Sequence, residues 1–213
     1  MLIISHRGYW KSHEEQNSVV AFERSLSSGF GIETDIRDYR GELVISHGVA
    51  DDNSMKLEQF FQIYNNYQEN LPLALNVKAD GLQEKLKALI EKYRIKNYFV
   101  FDMSLPEGLN YLKHQFNTFT RQSEYEPAPL FYDKACGVWA DCFHKDWIDE
   151  KTIQKHLKAG KKIAFISPEI HKREPHNFWK KLAKMPVIKS KNMILCTDLP
   201  EEARRFFHEK SRS

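Results

Sequence analysis

Short apolar runs alternate with stretches whose apolar residues recur at helical spacing from one end of this 213-residue chain to the other. Runs of four to eight apolar residues are too short for helices and read as buried parallel strands, and the stretches between them read as amphipathic helices. The expected strands are Leu2–Ser5, Gly31–Ile36, Leu73–Lys78, Tyr98–Met103, Asn117–Arg121, Gly137–Phe143, Lys162–Ser167 and Met193–Thr197. Helices are expected at Asn17–Ser28, Met55–Tyr67, Gly81–Tyr93, Pro106–Gln115, Asp149–Ala159, Pro175–Lys184 and Pro200–Lys210. Proline stands at or near several helix starts, where its missing N–H is harmless. Eight strand-helix units predict an α/β fold, a compact (β/α)8 TIM barrel, in a single domain spanning 1–213. Such barrels commonly run to about 250 residues, so the loops here must be short. A doubly wound open sheet is the rival reading of the same pattern. The turn-rich segment Glu124–Ala135 leaves room for only a short helix. One interval breaks the rhythm: Arg40–His47 is a turn followed by an alternating run, which predicts a small hairpin insertion after strand 2.

Composition narrows the partners. A 41% hydrophobic and 13% aromatic content supplies a sizeable core. The net charge of +3 arises from 32 basic against 29 acidic residues, without the excess that marks a nucleic-acid-coating protein. Cys136, Cys142 and Cys196 form no close pairs of the zinc-knuckle or redox type, so they read as small buried hydrophobes in a reducing compartment. The chain opens on strand-like Leu2-Ile3-Ile4 and has no apolar run of membrane-spanning length, so a soluble, cytoplasmic protein is expected.

In a barrel the chemistry gathers at the carboxyl ends of the strands, and nearly every strand here ends in a polar residue. The first ends in His6-Arg7, the second carries Glu33 and Asp35, the third Asn76 and Lys78, and the fourth Asp102. Arg121, Asp141, Glu169, His171 and Asp198 follow on later strands or their loops, and Arg121, Glu124, Trp139, Glu169 and His171 remain without defined roles. Glu33 and Asp35 are two apart, so they project to one side, and oxygen ligands so spaced suit Mg2+ or Ca2+. A salt bridge to Arg37 or Arg40 would serve equally. On the next strand the Asn76 amide oxygen could complete a cation site, and the Lys78 ammonium could neutralise a phosphate. His6 and His47 could act as a general acid and base, and Arg7 could fork onto phosphate oxygens or pair with Glu33 or Asp35. His13, His114, His144, His156, His176 and His208 lie in polar or helical surroundings and read as solvated. Trp10, Trp139 and Phe143 could line a pocket, although core packing is the commoner use of such residues.

Together these residues resemble the glycerophosphodiester phosphodiesterase family. The resemblance rests on His6-Arg7-Gly8, Gln16-Asn17-Ser18, Glu33-Thr34-Asp35, the run Gly41 to His47, and Asn76-Val77-Lys78, in the family's order and spacing over roughly the first 80 residues. It implies a (β/α)8 barrel, a small phosphodiester substrate, and His6 and His47 as acid and base. It also implies a divalent cation, Mg2+ or Ca2+, on Glu33, Asp35 and Asn76, with Arg7 and Lys78 on the phosphate; apart from the resemblance, Asp102 on the adjacent strand is a further ligand candidate. Hydrolysis would proceed through a cyclic phosphate or by direct attack of water. Lysophospholipids, glycerol-phosphate surface polymers, and a non-catalytic phosphate-binding barrel are the alternatives. Three departures each remove a negative charge: Gln16 stands where the family usually has Glu, Gly48 where it has Asp, and Asn76 where it has Glu.

Overall fold

The computed structural model describes residues 1–67 and 70–210; the ends of the expected domain, 211–213, and residues 68 and 69 lie outside the described residues. In chain order the elements are β1 (Leu2–His6), α1 (Val19–Ser27), β2 (Gly31–Tyr39), β3 (Glu42–Ile45), α2 (Leu57–Asn65), β4 (Leu73–Val77), α3 (Gln83–Lys92), β5 (Tyr98–Phe101), α4 (Leu105–Lys113), β6 (Phe119–Gln122), β7 (Gly137–Ala140), α5 (Glu150–Lys158), β8 (Lys162–Ile166), α6 (His176–Ala183), β9 (Met193–Thr197) and α7 (Pro200–Lys210). The fold is an α/β barrel of eight parallel strands with intervening helices, of the TIM-barrel type, and β3 is the additional hairpin strand. All eight expected strands and the hairpin are present.

Two compact units divide the chain: Arg7–Thr118, and Met1–His6 with Phe119–Ser213. In the first, β2, β4 and β5 are neighbouring parallel strands. The β4 sequence LALNV is buried at every position, as a strand covered on both faces requires. β2 runs three residues past its expected end because β3 pairs with it antiparallel, from Ile36 opposite Ile45 to Tyr39 opposite Glu42. The two-residue turn between them holds Arg40 at φ 48° and Gly41 at φ 84°, the positive pair that a twisted hairpin demands. Leu57, Phe60 and Phe61 of α2 are fully buried in a core with Phe22, Ile32, Leu75 and Val100. Each such side chain contributes about 1.5–3 kcal/mol through apolar burial.

In the other unit, β1, β9, β8, β7 and β6 are successive parallel neighbours. Their core contains Phe165, Phe178, Trp179 and Leu195. α5 starts at Glu150, one residue past its expected start, because Asp149 is its N-cap and its carboxylate accepts the Thr152 N–H at 2.8 Å. Glu124–Ala135 forms turns rather than a helix. Two sequence expectations change here. His156 is buried rather than solvated, its ring between the Gln122 amide oxygen and the Tyr132 hydroxyl, each at 2.8 Å, and burial lowers its pKa to about 4. Cys142 and Cys196 are buried thiols as expected, whereas Cys136 is exposed. Among the described residues no helix is long and apolar enough to cross a membrane.

Candidate functional site

The first strand leaves β1 through His6-Arg7-Gly8, and Gly8 fixes the course of the chain. Its φ is +83°, and a Cβ there would lie 2.8 Å from the Ala21 Cβ, so only glycine lets this loop pack on α1. Arg7 and Asn17 also have positive φ, 56° and 57°, and the Asn17 N–H donates to the Arg7 carbonyl at 2.9 Å. Strained residues held this way cluster where side chains must be aimed.

Within the Arg7–Thr118 unit these two residues converge on β2. The Arg7 N–H donates to the Glu33 carbonyl at 2.9 Å and lies 3.2 Å from Glu33 Oε2. Its Nε stands 3.3 Å from Asp35 Oδ2, so the ion pair with Asp35 exists. Asn17 is clamped at both ends, donating from Nδ2 to Asp35 Oδ2 at 3.0 Å and accepting from the Thr34 hydroxyl at 2.8 Å. On the other oxygen, Asp35 Oδ1 has His47 Nδ1 at 3.1 Å and Lys78 Nζ at 3.6 Å. Burial alone would raise the Asp35 pKa, but Lys78, the Asn17 amide, Arg7 and His47 outweigh it and hold the carboxyl below its usual range. Arg37 and Arg40 are not its partners; Arg40 pairs with Asp52 at 2.6 Å.

His47 Nδ1 also lies 2.8 Å from Arg7 Nη2. One ring nitrogen offers Arg7 a lone pair or Asp35 a proton, so whether Nδ1 carries a hydrogen decides which neighbour it bonds. Gln16, in place of the family's usual acid, accepts from Arg7 Nη1 at 3.1 Å. A cavity of about 610 Å³ opens beside Arg7, Gln16, Asn17 and His47.

On β4, Asn76 donates from Nδ2 to Glu33 Oε1 at 3.2 Å, while its Oδ1 is buried without a hydrogen-bond partner. Glu33 and Asp35 are each 1% exposed and Asn76 8%. Among the described residues no three His, Cys, Asp or Glu side chains gather as a metal-ligand set. Two carboxylates and an amide oxygen with a vacant lone pair still fit the donor chemistry of a hard, oxygen-seeking cation such as Mg2+ or Ca2+. Asp102, the fourth ligand candidate, instead accepts from Lys78 Nζ at 3.2 Å.

His6 belongs to the other unit, where its Nδ1 lies 2.8 Å from Asp198 Oδ1 at the end of β9. Glu169 braces this pair: it accepts the Asp198 N–H at 3.1 Å and the hydroxyls of Ser167 and Thr197. Burial raises the Glu169 pKa, and those hydrogen bonds oppose it. The Trp179 indole in turn donates to Ser167 Oγ at 2.8 Å. Sequence reasoning found Asp198 and Glu169 as polar strand ends but not their joint support of His6. The remaining candidates have partners of their own: His171 Nε2 meets Asp141 Oδ1 at 2.6 Å, Glu124 binds three backbone N–H groups, and Arg121 pairs with Glu126. Trp139 is core, Phe143 lies on the His171 ring, and Trp10 stacks on His13.

No protein-family profile and no curated protein sequence matches the chain. Solved structures do. A candidate glycerophosphodiester phosphodiesterase from Galdieria sulphuraria is similar at 18% identity, covering 97% of both chains, with a TM-score of 0.75. The glycerophosphodiester phosphodiesterase from Agrobacterium tumefaciens matches at 15% identity over 100% of both chains, TM-score 0.74. A glycerophosphoryl diester phosphodiesterase from Parabacteroides distasonis matches at 16% identity, covering 98% of this chain and 86% of its own, TM-score 0.67. The likeness suggested by the first 80 residues thus extends, as a fold, along the chain: this is the fold of the glycerophosphodiester phosphodiesterases.

Proposed function

We propose that the chain, as a single catalytic domain, is a metal-dependent phosphoric diester hydrolase acting in the cytoplasm on a small glycerophosphodiester-like substrate. The observation that carries this reading is the convergence of Arg7, Lys78 and His47 on the buried Asp35, beside Glu33 and the unpartnered amide oxygen of Asn76. Two cations within reach of one carboxylate can turn to a phosphoryl group, and Arg7 can do so with two parallel N–H donors.

His6 acts as the base. A carboxylate only accepts, so Nδ1 facing Asp198 carries the ring proton, and the neutral ring keeps its lone pair on Nε2. Nε2 takes the proton of the attacking hydroxyl, either water or a neighbouring hydroxyl of the substrate. The new P–O bond forms as the bond to the leaving alcohol breaks. His47, protonated and donating from Nδ1 to Asp35 once Arg7 has turned to the phosphate, gives its other proton to the leaving oxygen. If a cyclic phosphate forms first, water opens it with the two histidines in exchanged roles. Glu33, Asp35 and Asn76 would hold the divalent cation, which when bound stabilises charge on a phosphoryl oxygen. Arg7 and Lys78 add to that stabilisation.

The test is release of alcohol from a panel of glycerophosphodiesters, lysophospholipids and glycerol-phosphate polymers with Mg2+ or Ca2+. His6→Ala and His47→Ala should each lower kcat about 10²- to 10⁴-fold. Full turnover by either variant sinks the acid-base assignment. Phosphate-ester binding without turnover on any substrate identifies the non-catalytic barrel instead.

A further inference from the structure

We infer that cation and phosphate load this site together, and that Asn76, Arg7 and Lys78 are the residues that impose the condition. The inference rests on the reading of this site as one for phosphate esters.

Asn76 limits what the cation can gain alone. It is a neutral ligand, and its orientation is fixed: turning the amide over would set its oxygen against Glu33 Oε1, acceptor against acceptor. Oδ1 therefore stays buried and unpartnered, aimed to accept something it does not have. Leaving such an atom unsatisfied costs about 1–3 kcal/mol, which a bound cation would relieve.

Asp35 is the obstacle. Oδ2 has Asn17 at 3.0 Å and Arg7 at 3.3 Å, and Oδ1 has His47 at 3.1 Å and Lys78 at 3.6 Å. A divalent cation approaching this carboxylate must displace or face two cationic side chains. A phosphate ester changes that. Arg7 and Lys78 are the donors suited to phosphoryl oxygens, and when they turn to phosphate both Asp35 oxygens lose a cationic neighbour. Lys78 is already shared with Asp102 at 3.2 Å, so it has an alternative support while it moves.

Charge leads to the same result. With the His47 ring counted as neutral while it faces Arg7, Glu33, Asp35 and Asp102 together exceed Arg7 and Lys78 by one negative charge. A divalent cation alone leaves this group positive, and a diester monoanion alone leaves it more negative. Both together leave it neutral with a diester, and one negative with the dianionic glycerol 3-phosphate, still closer to neutral than that phosphate alone would leave it. Each ligand therefore raises the other's affinity, by the same factor.

Calorimetry tests this with Mg2+ and with Ca2+, each titrated into the full chain with and without saturating glycerol 3-phosphate. The expected result is cation binding tightened about tenfold or more by glycerol 3-phosphate, and glycerol 3-phosphate binding tightened equally by the cation. Asn76→Glu should raise cation affinity in the absence of phosphate about tenfold or more and shrink the coupling. Lys78→Met should also raise phosphate-free cation affinity while weakening glycerol 3-phosphate binding, so the test survives if Asn76→Glu fails to fold. Equal cation affinity with and without glycerol 3-phosphate in the unaltered protein overturns the inference. Turnover with uncoupled cation binding removes the inference and leaves the hydrolase reading. Coupled binding with no turnover removes the hydrolase reading and leaves the inference.

Discussion

In the unit built from Met1–His6 and Phe119–Ser213, the Glu124 carboxylate receives the backbone N–H groups of Phe143, His144 and Lys145 at 2.9–3.1 Å. In the Arg7–Thr118 unit, the Asp35 carboxylate instead receives, among the described residues, the side chains of Asn17, Arg7, His47 and Lys78. Backbone donors are fixed by the fold and cannot leave. Side-chain donors can rotate to a ligand and return. An acid held by backbone is committed to structure, and an acid held by long cationic side chains keeps its charge exchangeable. That difference, together with the deeper burial of Asp35, separates the carboxylate proposed to take part in the chemistry from Glu124.

The contrast breaks first at Asp35. Asp35→Ala leaves Arg7 and Lys78 beside an apolar gap, and the loss should be about 3 kcal/mol in urea unfolding. A loss below about 1 kcal/mol would mean that the two cations are as well served by solvent as by Asp35.

Glu124 gives a smaller effect with a definite pH signature. Burial raises its pKa, but the N–H groups of His144, Lys145 and Phe143 outweigh that and bring it to about 2 from an ordinary 4.5. A carboxyl with a depressed folded pKa stabilises the fold fully above its unfolded value. Its contribution is therefore present above pH 4.5 and disappears as pH falls toward 2. Glu124→Gln should cost about 2 kcal/mol at neutral pH, and its urea midpoint should fall less than the unaltered protein's across that acid range. Parallel acid profiles for the two proteins would remove Glu124 as a titrating support.

Gly48 sharpens the comparison from the quiet side. A Cβ there meets no heavy atom within 4 Å, so Gly48→Asp should change stability by no more than about 0.5 kcal/mol in the same urea assay. A larger loss would show that the charge balance around His47 reaches into the loop.

Strands were legible because a β/α barrel writes them as uninterrupted apolar runs, and the hairpin because Arg40-Gly41 is a turn between two pairing segments. Strand ends were overestimated where polar residues continue the run but the backbone turns away: β7 ends at Ala140, before Asp141 and Cys142. The same-side pair Glu33 and Asp35 was visible from two-residue spacing, which is local. What stayed hidden depends on distant partners. Nothing near Lys78 in sequence says that Asp102 binds it, and nothing in the polar pattern around His156 says that Gln122 and Tyr132 enclose it. The brace from Glu169 to the Asp198 N–H joins residues 29 positions apart.

Gly8 sets the last constraint. The loop that aims Arg7 is fastened to α1 by the Tyr9 N–H on the Ala21 carbonyl at 3.0 Å and by Arg24 on the Tyr9 carbonyl at 2.7 Å. The contact itself pairs glycine with alanine, the two smallest side chains available to a protein. Gly8 has nowhere smaller to go, and reducing Ala21 to glycine would still leave the Ala21 backbone carbon 3.0 Å and Phe22 Cδ1 3.1 Å from a Cβ added at Gly8, so enlargement there cannot be fully offset. The distance between loop and helix thus acts as a ruler at the lower limit of the amino-acid alphabet, and the place of Arg7 is measured from it.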